Sequence, residues 1–212
     1  MGLVLCGCLA VLPSAANGDL IFQGFHPSYP DISAVGLSGN YNGSTGDLTI
    51  SGWAVSYNRG AEDSPDISFG DDCNYILTAT VTHSSTTPTI CNGSLTISGT
   101  TDGGSDPLLT GTIEQVGYQQ VDDISANLDF SFRVTGGSLA DAFGGIGAVA
   151  CTAPNLSFDA PFNGDFHNSF TCSDGNSDTH TVPEPASLAL IMTSIMTGLL
   201  VSVVRRSWKR RG

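Results

Sequence analysis

Asn127-Leu128-Asp129-Phe130-Ser131-Phe132-Arg133-Val134 alternates apolar and polar side chains without a slip. Successive side chains of a strand point to opposite faces, so Leu128, Phe130, Phe132 and Val134 predict one buried face. This is the cleanest strand signal in the chain, and it places the segment at the centre of a β core. Working upstream, Tyr75, Leu77, Ala79 and Val81 alternate with Thr78, Thr80 and Thr82 in a second half-buried strand. Leu108–Tyr118 reads as another long strand. Gly93-Ser94-Leu95-Thr96-Ile97-Ser98-Gly99 nearly repeats Gly46-Asp47-Leu48-Thr49-Ile50-Ser51-Gly52. Two copies are too few for a solenoid, so they read as equivalent strands of a meander or a sandwich.

Further strands are expected at Asp19–Phe25, Ser33–Ser38, Ala148–Thr152, Leu156–Asp159 and Phe166–Thr171. In Asp47–Tyr57 the apolar phase slips at Gly52, from Leu48 and Ile50 to Trp53, Val55 and Tyr57, which predicts a β-bulge there. Ser138-Leu139-Ala140-Asp141-Ala142-Phe143 carries a capping box, Ser138 answered by Asp141, and predicts one short helix stopped by Gly144 and Gly145. The fold class expected is therefore all-β: an antiparallel β-sandwich or open barrel with one short helix.

Charge narrows the functions. The chain holds 20 Asp and Glu against 7 Lys and Arg. Five of those cations, Arg205, Arg206, Lys209, Arg210 and Arg211, crowd the C-terminus. Upstream, Arg59 and Arg133 alone oppose the acids, a balance of −18. Such a field repels nucleic acid and anionic membrane, which excludes DNA or RNA as a partner; cations and neutral glycans are compatible.

The termini read as addresses. Residues 1–16 are apolar from Leu3 to Leu12 and end in Ser14-Ala15-Ala16, a signal peptide with small residues at the cleavage position but without a basic start. Leu5-Cys6-Gly7-Cys8 has the look of a lipoprotein box, with too short an apolar stretch before it. Residues 17–172 form one β-rich extracytoplasmic domain and 173–181 a polar linker. Residues 186–204 carry no charge and approach the roughly 20 residues that cross a bilayer as a helix. The basic cluster after them acts as a cytoplasmic stop, leaving everything before Pro183 outside.

Pro183-Glu184-Pro185, then the apolar helix, then the terminal Arg cluster resembles the PEP-CTERM sorting signal of Gram-negative and related bacteria. The resemblance covers 182–212. It implies that the exported chain is held in the inner membrane until an exosortase, a membrane cysteine protease or transpeptidase, recognises Pro183, Glu184 and Pro185 and removes the helix. On that reading the chain is a substrate of the exosortase. The segment 128–143 also loosely resembles an element of PEP-CTERM ectodomains, with no activity implied.

Cys73, Cys91, Cys151 and Cys172 remain after the leader, and an even number in an exported acidic domain predicts two disulfides. Proximity favours Cys73–Cys91 with Cys151–Cys172. If 74–83 and 92–99 form a simple hairpin, however, Cys73 and Cys91 lie at opposite ends of it, beyond disulfide reach. The pairing is left open. No CxxC pair or His spacing supports zinc.

No catalytic constellation, metal site or cofactor site emerges. His26, His83, His167 and His180 are dispersed, Gly-x-Ser-x-Gly is absent, and Glu114 reads as a solvated strand face. Carboxylates are too plentiful for a glycosidase pair to carry information. Asp174-Gly175-Asn176-Ser177-Asp178 opens like a Ca²⁺ loop but lacks the Gly and the closing Glu. The acidic loop holding Asp66, Asp71 and Asp72 is a second weak Ca²⁺ candidate. Gly144-Gly145-Ile146-Gly147 follows a helix signal rather than a strand, so it is no dinucleotide loop. Asn42, Asn92 and Asn155 begin N-glycosylation sequons, a chemistry not expected by default in a bacterial host.

The function expected is that of an exported, non-catalytic cell-surface or matrix protein whose partners are the exosortase, the membrane and extracellular polysaccharide. The alternative is an envelope-anchored glycan- or Ca²⁺-binding module, favoured if Trp53 and Tyr57 are exposed on one face. A secreted hydrolase is the least supported reading.

Overall fold

The structure is a computed structural model describing residues 20–22, 29–60, 66–70, 72–84, 87–99, 107–162 and 166–182. Nine strands are present among them: β1 Asp31–Asn42, β2 Asp47–Asn58, β3 Ile67–Ser68, β4 Asn74–Ser84, β5 Thr87–Ser98, β6 Pro107–Asp122, β7 Ser125–Gly136, β8 Val149–Phe158 and β9 Phe170–Thr181. The sheet order is β1-β9-β8-β7-β6-β5-β4-β2-β3, and β1 also pairs with β2. Every pairing is antiparallel. Eight strands thus form a closed up-and-down barrel, with two-residue β3 added beside the far end of β2. The expected sandwich or open barrel is corrected to a closed one, because β9 zips to β1 instead of leaving two edges free.

The alternation that announced the core holds. Leu128, Phe130, Phe132 and Val134 are fully buried, as are Tyr75, Leu77, Leu95 and Ile97. The repeated segments flank β4 from its two sides: Ile50 and Leu95 both oppose Leu77. The outward positions of β4 and β5 are Asn74, Ile76, Thr78, Thr80, Asn92, Ser94 and Thr96. An apolar interior and a hydroxyl-rich outside are the reverse of a lipid-facing barrel wall.

The interior is filled. Tyr75 on β4 reaches across to β8, four places away around the ring, where its hydroxyl lies 2.9 Å from Thr152 Oγ1. Thr152 in turn bonds Ser177 at 3.0 Å and Thr179 at 2.9 Å on β9. Burial pushes the Tyr75 hydroxyl up to about 12. At one end Tyr41, Tyr118, Phe158, Phe162, Phe166 and Phe170 pack edge to face, and Tyr41 donates to the Phe166 carbonyl at 2.7 Å. At the other end Phe143, 1% exposed, joins the core.

Five local expectations are corrected, the last of them in β8. Residues 138–143 are turns, not a helix: one i→i+4 bond forms, Phe143 N–H to Leu139 O at 3.2 Å, and positive φ at Gly137, Gly144 and Gly145 interrupts further winding. The predicted linker 173–181 belongs to strand β9. Leu20–Phe22 form a turn rather than a strand; the rest of the predicted Asp19–Phe25 strand lies outside the described residues. The β2 bulge falls at Val55 rather than Gly52. Ser33 pairs with Ser56 and Ala34 with Ala54, so Val55 is the extra residue. Gly52 stays inward, where a Cβ would lie 2.6 Å from Leu37 Cδ2. Tyr57 therefore faces the core and Trp53 faces out.

β8 runs as one strand through Pro154, where two short strands were expected. Its ladder to β7 lapses between the Asn127–Asn155 and Phe130–Thr152 pairs, the place where a missing N–H costs nothing.

Candidate functional site

Residues 183–212 lie outside the described residues, and with them Pro183, Glu184, Pro185, the apolar segment and the basic cluster of Arg205, Arg206, Lys209, Arg210 and Arg211. The chain divides into two compact units, Met1–Thr181 and Val182–Gly212. Among the described residues no helix is long and apolar enough to cross a membrane.

Cys73, Cys91, Cys151 and Cys172 are free thiols in this structure, and neither near-neighbour pair is within bonding reach. Register gives the reason. Asn74 pairs with Ser98 and Thr80 with Asn92, so β4 and β5 are the simple hairpin that separates Cys73 from Cys91. At about 3.3 Å per residue they stand ~25 Å apart along it. Cys151 pairs with His180 and Cys172 with Phe158, opposite ends of the β8–β9 ladder. Burial pushes the Cys172 thiol up to about 11 and the Cys151 thiol higher still, while Cys91 is exposed.

One juxtaposition was invisible to sequence reading. Cys151, His180 and Asp31 occupy one in-register row across β8, β9 and β1. The order thiol–imidazole–carboxylate is that of a nucleophile, base and orienting acid. Cys151 is 1% exposed, and burial first and then Asp129 raise its thiol pKa. Burial also lowers the His180 pKa. The Asp31 carboxyl is raised to about 6, first by burial and then by Asp178 and Asp66. Its Oδ1 is buried without a hydrogen-bond partner. Nearby, Phe22 N–H donates to Asp129 Oδ2 at 2.8 Å and Thr181 Oγ1 donates to Tyr29 O at 3.2 Å, so chain on either side of 23–28 is fixed to the outer wall. Burial outweighs those N–H bonds and raises the Asp129 pKa.

The Ca²⁺ candidate on β9 does not assemble, and Asp71 of the second candidate lies outside the described residues. Asp174, Asn176 and Asp178 lie on extended β9, where alternate side chains stand about 6.6 Å apart and cannot curl around one ion. Among the described residues no group of three or more His, Cys, Asp or Glu converges.

Two surfaces remain. At the aromatic end an open cleft of ≈ 690 Å³ is lined by Asn40, Gln120, Asp123, Asn168, Ser169 and Thr171, with Pro161 and Phe162 beside them. Ala160, Pro161, Phe162 and Phe170 give it more apolar than polar surface, and Asp123 is the carboxylate among its described lining residues. Among the described residues one carboxylate lines it, where a hydrolytic pair needs two. On the barrel wall Trp53 is 56% exposed, with Val35 and Ile76 exposed on the flanking strands. The expectation for Trp53 and Tyr57 thus divides: the indole faces solvent and the phenol faces the core. Charge follows the same division. Glu114 and Arg133 form an exposed ion pair at 2.7 Å on β6 and β7, away from Trp53.

The chain matches no protein-family model, and neither curated proteins nor solved structures resemble it closely enough to assign kinship.

Proposed function

We propose that this is an exported, non-catalytic surface or matrix barrel, delivered by its leader and sorted through its C-terminal Pro-Glu-Pro signal by an exosortase. The observation that carries the reading is where the barrel stops. Its last strand ends at Thr181, and Val182 alone separates that strand from Pro183. A cut at Pro183–Pro185 removes none of the nine described strands and spares the β9–β1 pairing that closes the ring. Pro at 183 and 185 withholds the backbone N–H groups that a continuing strand ladder would use. The hydroxyl-rich outer wall and the balance of −18 suit a protein kept soluble among extracellular polymers. The apolar segment 186–204 serves as the temporary inner-membrane anchor.

The test is intact mass of the protein from its own host, with membrane, medium and cytosol measured separately. A species in the medium ending near Pro185 is expected. An uncut chain recovered from the cytosol overturns the export reading, and an uncut chain confined to the membrane overturns processing.

A further inference from the structure

We propose that the outer wall of β1, β2, β4 and β5 binds neutral polysaccharide, with Trp53 as its stacking platform. The inference deepens the surface reading by naming a partner class, and it rests on that reading for access to extracellular glycan.

The first observation is the built position of Trp53. Tryptophan ordinarily buries most of its surface, yet this one is 56% exposed. β1 carries extra residues between Val35 and Ser38, and Gly36 within that bulge has φ of 60°. A Cβ on Gly36 would fall 2.5 Å from Trp53 Cζ3. The indole therefore rests on bare backbone, a seat that exists because position 36 has no side chain. Val35 lies opposite Trp53, and Ile76 lies diagonally across on β4; both are 42% exposed. A contiguous exposed apolar set of this kind marks a contact surface.

The second observation is independent. Three in-register rows cross the four strands at this place: Val35–Trp53–Asn74–Ser98, Ser38–Ser51–Ile76–Thr96 and Asn40–Thr49–Thr78–Ser94. None of these outward positions is charged, in a chain with 20 Asp and Glu. Thr78 Oγ1 and Ser94 Oγ lie 2.9 Å apart and share one hydrogen bond. Apolar platform beside uncharged hydroxyls and amides is the complement of a sugar ring, which has C–H faces and a hydroxyl rim. The surrounding acidity rejects anionic polymers.

Size separates glycan from protein. Three rows span about 13 Å along the strands and four strands about 14 Å across them. That is on the order of 200 Å², far below the roughly 800 Å² per partner of a stable protein interface. It suits a few sugar units of a longer polymer.

Affinity electrophoresis of the full chain tests this, with mild detergent in every sample. The gels contain dextran, mixed-linkage β-glucan, galactomannan or, as the anionic control, alginate. At least one neutral polymer retards the protein and alginate does not. Trp53→Ala weakens retardation by about tenfold or more, and Trp53→Phe keeps part of it. Ile76→Ser weakens it less than Trp53→Ala. Because Trp53 and Ile76 are exposed, unchanged thermal unfolding of Trp53→Phe and Ile76→Ser certifies the fold. No retardation by any neutral polymer, equal retardation by alginate, or unchanged binding by Trp53→Ala overturns the proposal. So does sedimentation showing that Trp53→Ala dissociates an oligomer, since the face is then a contact between copies. Binding needs folded protein and no sorting, so its failure is read separately from failure of the export reading.

Discussion

Replacing Asp31 by Asn stabilises the barrel at neutral pH. Asp31 begins β1 opposite His180, and burial together with Asp178 and Asp66 raises its carboxyl from 3.8 to about 6. A raised carboxyl favours folding while both states are protonated, below about pH 4. That contribution is lost as pH rises through 6, because the folded protein must then hold a charge that the unfolded chain solvates better. Two pKa units correspond to ~3 kcal/mol. The carboxyl is only partly withdrawn from water, so screening reduces the expected gain to ~1 kcal/mol for Asp31→Asn at pH 7.5. Near pH 4 the gain vanishes. Asp31 Oδ1 has no hydrogen-bond partner, so the amide forfeits none there. Urea unfolding of both proteins from pH 4 to 8 gives the difference directly. A variant less stable than its parent at pH 7.5, or a difference that does not change with pH, refutes the account of Asp31. His180 titrates with the opposite sense: burial lowers its pKa, so its contribution is present above about 6.5 and lost as pH falls.

Tyr75→Phe removes a hydroxyl that spans the barrel but leaves Thr152 bonded to Ser177 and Thr179, so denaturant unfolding shows a loss of ~1 kcal/mol. Tyr75→Ala empties the same position and costs roughly 3–5 kcal/mol. In the leaderless chain a thiol reagent modifies Cys91 promptly and reaches Cys73, Cys151 and Cys172 only on unfolding; a mass deficit of four hydrogens before reduction contradicts the free-thiol barrel.

What could be read from the sequence depended on what the inward side chains are. β7 announces itself because its inward positions are Leu128, Phe130, Phe132 and Val134. β9 is equally integral, yet its inward positions include Cys172, Gly175, Ser177 and Thr179. Those residues are small or polar because a Cβ at Gly175 would meet the Asn155 carbonyl oxygen at 2.5 Å and because Thr152, bonded to Tyr75, needs Ser177 and Thr179 as partners. A strand whose inner face bonds to a distant tyrosine has no apolar alternation and looks like a linker. Barrel closure was hidden for a related reason: it depends on Asp31–Tyr41 meeting Phe170–His180, a pairing that no local periodicity records. Trp53 is legible as a candidate, but the position of its bulge is not, because Gly52 resembles a bulge glycine and is instead the space for Leu37. The Cys151–His180–Asp31 row required the register of three strands, which spacing alone does not supply.

The β9–β1 seam also sets an order of events. The ring is sealed by joining the first long strand to the last, some 130 residues later in the chain. Until residues 170–181 are available, β8 and β1 each present an unpaired edge, and any shorter product of synthesis or proteolysis keeps both. The barrel is therefore an all-or-nothing object with respect to its own length: chains ending before Phe170 are templates for strand pairing between molecules, while chains ending just after Thr181 have no open edge along that seam.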